Sequence, residues 1–107
     1  MLKSYDGFEK VGELSYPYGP AKPWFKFHTP QTITNQFDER VVVDYFLIST
    51  VSHLDYDGTD HWETMIFPCD KHGEVPEGDY SGIYASVSST PMSETEVLGS
   101  FISTIKE

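Results

Sequence analysis

The chain has 107 residues, of which 38% are hydrophobic and 15% aromatic, and it carries a formal net charge of −10 at pH 7. This length predicts one domain, residues 1–107, that is large enough to bury a core without disulfides. The one cysteine, Cys69, excludes an internal disulfide and is typical of a reducing compartment. The sequence contains neither the roughly 18 consecutive apolar residues of a membrane span nor the apolar run of a signal peptide. We therefore expect a cytoplasmic protein.

The first 40 residues predict one strand and several turns. Residues 8–14 fit a short helix or a strand, because their apolar residues are too few to define a period. Residues 16–23 contain three prolines and one glycine, which exclude a helix. They predict a loop, and the alternative is an aromatic and proline segment that a partner binds. Residues 23–29 alternate in polarity and predict a strand that Pro30 ends, followed by a loop over 32–39.

The longest run of β-branched and aromatic residues, 41–54, predicts an interior strand. Both faces are apolar, with Val41, Val43, Tyr45, Leu47 and Val51 on one and Val42, Phe46, Ile48 and Leu54 on the other. Asp57-Gly58 is typical of a two-residue type I′ turn, so residues 61–67 predict the partner strand. In this register Leu54 faces His61, Ile48 faces Phe67, and His53 and His61 lie on opposite faces. Pro68 predicts the end of that strand or an edge position.

The last third predicts a strand over 79–88 and a helix over 93–106. Ser93 and Glu96 have the spacing of a capping box, and Met92 with Val97 has that of a hydrophobic staple. The helix carries an apolar stripe formed by Val97, Leu98, Phe101, Ile102 and Ile105. The whole pattern predicts an α+β fold, in which an antiparallel sheet of four to five strands carries the C-terminal helix on one face.

The net charge lies entirely after residue 40. Residues 1–40 hold five acids and five bases, whereas residues 41–107 hold twelve acids and only Lys71 and Lys106. We name two groups: the tip acids Asp55, Asp57, Asp60 and Glu63, and the connection acids Asp70, Glu74, Glu77 and Asp79. They indicate either a solvated surface that keeps the protein soluble or an acidic face that binds a basic partner. Because no basic patch exists to contact phosphates, the sequence argues against direct nucleic-acid binding.

Metal and catalytic motifs are weak. The tip acids offer oxygen ligands of the kind calcium prefers, but they lack the twelve-residue spacing of an EF-hand. Cys69 and His72 supply two ligands where zinc generally takes four. As a nucleophile Cys69 would need a nearby base, so a half-buried cysteine at a strand end is the favoured interpretation. No nucleophile elbow, Walker loop or dinucleotide fingerprint is present. The sequence predicts no enzyme, no cofactor and no metal site.

The segment His61-Trp-Glu-Thr-Met-Ile-Phe-Pro68, with Gly73-Glu-Val75 after it, resembles a strand-and-turn pattern in short uncharacterised bacteriophage-type proteins. The resemblance covers residues 61–75 and brings no site residues. It implies a small acidic protein in the host cytoplasm, loosely similar to anti-CRISPR and other anti-defence inhibitors that bind and block a host factor.

The functional expectation combines charge with this resemblance. We expect a protein that binds and inhibits a basic host protein, such as a nucleic-acid-handling or defence factor, through the tip acids and the connection acids. We expect no membrane partner, and the sequence leaves the oligomeric state open. The alternative is a small-ligand or metal-binding module with an aromatic pocket built from Trp24, Trp62, Tyr80 and Tyr84.

Overall fold

A computed structural model of the protein describes residues 4–5, 7–17, 19–54, 58, 60–76 and 82–105. Within these ranges the chain forms six strands and one helix: β1 (Ser4–Tyr5), β2 (Phe8–Leu14), β3 (Lys22–Thr34), β4 (Arg40–Leu54), β5 (Asp60–Cys69), β6 (Tyr84–Ser88) and α1 (Glu94–Ile105). The strands form one antiparallel sheet whose spatial order follows the chain. The predicted α+β fold is confirmed. The two-residue β1 is an addition to the strands that the sequence predicts.

The helix α1 packs on one face of the sheet through its predicted apolar stripe. Val97, Leu98 and Phe101 are buried, and Ile102 and Ile105 pack against the same cluster. We name this side of the sheet the core face. Burial of the stripe is what holds the helix on the sheet, since a 12-residue helix is marginal by itself in water.

The start of α1 has the predicted capping box. The Glu96 N–H donates to Ser93 Oγ at 3.2 Å, and the Ser93 N–H donates to Glu96 Oε1 at 3.3 Å. Lys10 Nζ on β2 donates to Glu94 Oε1 at 2.9 Å, so a salt bridge also joins the first turn of the helix to the sheet. These bonds fix where the helix begins and how it meets the strands.

Phenylalanine rings fill the centre of the core face. The Phe46 ring lies 5.1 Å from Phe25, 4.9 Å from Phe27 and 5.1 Å from Phe101, measured between centroids. Phe8 of β2 also meets Phe46, edge to face at 5.7 Å. Because Phe46 on β4 contacts rings of β2, β3 and the helix, it joins α1 to the sheet.

The predicted register between β4 and β5 is wrong by one residue. Leu54 pairs with Asp60 and Ile48 pairs with Ile66, where the sequence predicts Leu54 with His61 and Ile48 with Phe67. The two alternate sets of β4 are both apolar, so periodicity alone does not choose between the registers. Burial decides: the observed register places Ile66, rather than Phe67, beside Ile48 on the core face.

The predicted two-residue turn falls at the end of this hairpin. Leu54 pairs with Asp60, so five residues join the strands, and the predicted pairing of residues 56 and 59 around Asp57-Gly58 involves residues that the structure does not describe. Gly58 is exposed and has a φ of 85°, which glycine adopts without steric cost. Residues 55–57 and 59 lie outside the described residues.

The predicted end of β3 at Pro30 is also wrong. β3 continues to Thr34, and its pairing with β4 shifts between Lys26 and Gln31. Pro30 lies inside this irregular section, where its missing N–H interrupts no regular ladder. The turn that follows is shorter than predicted, and the Asn35 side chain closes it by accepting hydrogen bonds from the N–H groups of Phe37 and Glu39.

The register shift between β3 and β4 changes which residues of β4 meet the core. Val43 and Phe46 are both buried in the core cluster, although a continuous alternation would put them on opposite faces. Val42, in contrast, is 69% exposed. The two uninterrupted faces predicted for β4 are therefore wrong, because β4 changes face between Val43 and Phe46.

The remaining predicted bounds differ at their ends. β5 runs through Pro68 to Cys69, past the residues that pair with β6. β6 begins at Tyr84, and residues 79–81 of the strand predicted over 79–88 lie outside the described residues. The structure makes residues 8–14 a strand and so resolves the choice that the sequence leaves open.

Phe101→Ala should lower the free energy of unfolding by about 3–5 kcal/mol, because it removes a fully buried ring from the centre of the core. Urea unfolding followed by circular dichroism measures this. The exposed Ser100→Ala serves as control and should change stability by less than about 0.5 kcal/mol. Equal effects at the two positions would show that α1 is not docked on the sheet.

Ser93→Ala should cost about 1 kcal/mol, since it leaves the Glu96 N–H without its capping oxygen. Ser93→Asp keeps a capping oxygen and should retain most of the stability. The same unfolding measurement compares the two variants. A loss of the same size in both would contradict the capping role.

Candidate functional site

The structure separates the tip acids from the connection acids. Asp60 begins β5 and Asp70 directly follows its last residue, so the strand holds them about 30 Å apart at about 3.3 Å per residue. Asp60, Asp70 and Glu74 are exposed, and Glu63 is half-buried. Asp55, Asp57, Glu77 and Asp79 lie outside the described residues. Among the described members of the two groups, Asp60 and Asp70 therefore lie at opposite ends of β5.

Asp70 has a structural role in the connection. Its carboxylate accepts hydrogen bonds from the N–H of Glu74 at 3.0 Å and from the N–H of His72 at 2.8 Å. These two bonds lower the pKa of Asp70 below its ordinary value. Their contribution to the turn is complete above the ordinary carboxyl pKa and is lost as the pH falls through the lowered value.

The turn that Asp70 closes lies against Trp24. Gly73 is buried with a φ of 81°, and a Cβ built on it would lie 2.7 Å from the Trp24 ring. Trp24 Nε1 donates to the carbonyl of Lys71 at 3.3 Å. On β2, a Cβ at Gly12 would also lie 2.7 Å from the ring. The absence of a side chain at these two glycines thus makes room for the Trp24 ring. The ring in turn holds the turn against the sheet.

The predicted aromatic pocket is wrong. Trp24 aligns across the sheet with Leu47 and Phe67, on the face opposite the core. Trp62 shares the other face with Ile66, because residues two apart on a strand point the same way, and Tyr84 pairs with Ile66. Tyr80 lies outside the described residues. The three described residues of the expected pocket are therefore divided between two faces of the sheet.

His53 and His61 form a pair that the sequence analysis missed. They are direct partners across β4 and β5, and their rings stack with centroids 5.4 Å apart and planes inclined by 20°. The prediction that they lie on opposite faces is wrong, because the predicted register of β4 with β5 is shifted by one residue from the observed register. Glu63 lies on the same side, with Oε2 4.0 Å from His53 Nε2. The pair can be recognised from the sequence only when the correct register of β4 with β5 is known.

Cys69 does not have the environment of a nucleophile. Burial, followed by the charge of Asp70, raises the pKa of its thiol to about 12. At neutral pH the thiol stays protonated, and the thiolate is the reactive form. Cys69 ends β5 half-buried, as the favoured interpretation of the sequence expects.

Two grooves flank the helix, and the described residues that line them offer neither groove a pair of groups placed for acid–base chemistry. The larger, about 460 Å³, lies by the helix C-terminus, with Arg40 and Tyr84 as its titratable lining residues. The smaller, about 210 Å³, is lined by Glu13 and Glu94, which both bond to Lys10. Lys10 thus occupies the carboxylates that would otherwise be candidates.

Two further tests concern only the described part of the chain. No three His, Cys, Asp or Glu side chains there converge on one metal position as they stand. No helix there is long and apolar enough to cross a membrane.

No protein-family model matches this sequence, and comparisons with curated proteins and with solved structures found no match. The functional argument therefore depends on the residues themselves.

Gly73→Ala should destabilise the protein more than Gly58→Ala does. Both positions have positive φ, which costs a residue with a Cβ about 1–2 kcal/mol. Only Gly73 also faces a ring, so overpacking should add about 1–3 kcal/mol there, whereas Gly58 has open space around it. Denaturant unfolding of the two variants gives the difference. Equal costs would show that the turn does not pack on Trp24.

Proposed function

We propose that this protein is a non-enzymatic binding protein that engages a basic partner protein through its tip acids. The observation that carries the proposal is the lack of compensating cations around its exposed carboxylates. Among the described residues, Asp44, Asp60 and Glu74 are exposed and have no basic side chain within ion-pair distance. Uncompensated surface charge of one sign steers an oppositely charged partner and raises its association rate.

Two of the basic residues in the first 40 residues have partners away from the hairpin end. Lys10 bonds to Glu13 and Glu94, on β2 and α1. The Lys22 ammonium lies 4.3 Å from the centroid of the Tyr16 ring, a cation–π contact. Neither cation therefore neutralises Asp60 at the start of β5.

The tip acids and the connection acids differ in how well suited they are to bind a basic partner. In the connection, Asp70 is committed to closing the turn that packs on Trp24, so its carboxylate is already hydrogen-bonded. At the tip, Asp60 is exposed at the start of β5, and the five residues joining β4 to β5 add Asp55 and Asp57 by sequence. A partner is thus expected to contact the hairpin end, where Asp60 has no ion pair with a described residue.

An enzymatic role has little support from the described residues. The thiol of Cys69 stays protonated at neutral pH, and the carboxylates of the smaller groove are bound by Lys10. These observations favour a binding protein over a catalyst that uses either group.

The setting of the proposal comes from the sequence resemblance. The segment 61–68 that resembles phage-type proteins forms most of β5, where Thr64 and Ile66 are buried. It is thus a packing motif, and the acids that would contact a partner lie mainly outside it. We propose on this basis a phage-encoded inhibitor of a host nucleic-acid-handling or defence factor, of the anti-CRISPR or anti-defence kind.

Charge reversal tests the tip. A variant with Asp55, Asp57 and Asp60 replaced by lysine should bind a lysine-rich peptide, or a basic protein captured from host lysate and purified, with a slower association rate and a weaker salt dependence. Charge changes on a protein surface usually alter stability by less than about 0.5 kcal/mol each, so the fold should survive. Surface plasmon resonance across a series of salt concentrations measures both quantities.

The matched control reverses Glu74, Glu77 and Asp79, which changes the net charge by the same amount. It should keep most of the wild-type association rate. If the tip variant associates as fast as wild type at every salt concentration, the proposed surface is wrong. If the connection variant alone is slowed, the partner binds the opposite end of β5.

A further inference from the structure

We propose that His53, His61 and Glu63 form a binding site for a transition-metal ion of the zinc type. The site lies on the face of the sheet opposite the core, near the hairpin end. Glu63 belongs to both this site and the tip acids, but the charge-reversal variant of the tip leaves Glu63 unchanged. Different substitutions therefore test the two proposals, and either can fail without the other.

The backbone register supplies the first argument. His53 and His61 are directly paired across two central antiparallel strands, which brings their Cβ atoms to about 4.5–5.5 Å and points both side chains the same way. Neither ring depends on a loop for its position. Two imidazoles held by adjacent strands form a chelating pair whose backbone geometry is fixed before the metal binds.

The ring separation supplies the second argument. Two imidazoles on one tetrahedral zinc have centroids about 5 Å apart, because each Zn–N bond is about 2.0–2.1 Å long. The observed separation is 5.4 Å. The rings are now nearly parallel, so binding requires rotation about the side-chain bonds and no movement of the strands.

Glu63 supplies the third ligand. It follows His61 by two residues on β5 and so points to the same face, and its Oε2 lies 4.0 Å from His53 Nε2. Two ligand atoms of one tetrahedral zinc are about 3.3 Å apart, so a closure of less than about 1 Å is needed. In their present positions no three described His, Cys, Asp or Glu side chains form a group that could hold a metal ion, so these side chains must rotate before the site forms.

Access and charge favour a cation here. The side chains of His53 and Glu63 are 49% and 36% exposed, so an ion reaches them from solvent and a water can take the fourth position. The Glu63 carboxylate supplies negative charge on the same face as the two rings. Nitrogen ligands favour zinc, nickel or copper over calcium and magnesium, which prefer oxygen.

Calorimetric titration of the full chain with ZnCl₂, after removal of metals by EDTA and dialysis, tests the site. Wild type should bind one zinc ion. His53→Asn and His61→Asn should each weaken binding at least about tenfold, since loss of even an outer partner of a ligand costs about 10–100-fold. Glu63→Gln should weaken binding less. Histidine ring signals in NMR spectra should shift with zinc at His53 and His61.

His28→Asn and His72→Asn are the matched controls, because both residues are exposed histidines away from the pair. Each should bind zinc within about twofold of wild type, well inside the tenfold step that marks loss of a ligand. Circular dichroism of every variant separates loss of a ligand from loss of fold. The proposal is overturned if wild type binds no zinc, or if the two pair variants, folded, bind it as tightly as wild type. If His72→Asn loses zinc binding while His53→Asn retains it, the ion binds at Cys69 and His72 instead, and this result would also overturn the proposal.

Discussion

The pairing of β4 with β5 is the constraint on which the rest of the structure depends. In its register, Ile48 and Ile66 meet on the core face, and the buried hydroxyls of Thr50 and Thr64 share a hydrogen bond of 3.2 Å. A slip by one residue would turn Ile66 and Thr64 away from the core and leave the Thr50 hydroxyl buried without this partner. The pairing therefore fixes both the core under the helix and the contents of the opposite face.

Different elements cover the two faces of the sheet. The core face is closed by α1, whose Phe101 ring meets Phe46 and whose first turn is tied to β2 by Lys10. The opposite face is covered in part by the turn after β5, which Asp70 closes and Gly73 lays against Trp24. A helix and a glycine turn thus perform the same task, the removal of large apolar side chains from water.

The acidic residues of this chain serve separate purposes. Asp70 and Glu96 accept hydrogen bonds from backbone N–H groups, and Glu94 joins the helix to the sheet. Asp44 and Asp60 have no such contact among the described residues and contribute only charge. Composition treats all seventeen acids alike, so it overstates the surface that is available to a partner. The hairpin end combines the unpaired carboxylate of Asp60 with the histidine pair, so it is the part of the described structure that we propose for binding.

The sequence by itself determined the features that depend on neighbours along the chain. The capping box at Ser93, the apolar stripe of α1 and the α+β class all follow from local spacing, because a helix face and a cap are defined within a few residues. Only the tertiary structure decided which residues meet across strands. The register of β4 with β5, the continuation of β3 past Pro30 and the change of face near Val43 each depend on which side chains the whole core buries. The same distinction applies to the candidate site. The acidic charge could be predicted from the sequence, whereas the approach of His53 to His61 depends on the register of β4 with β5. Because both faces of β4 are apolar, the sequence left that register undetermined.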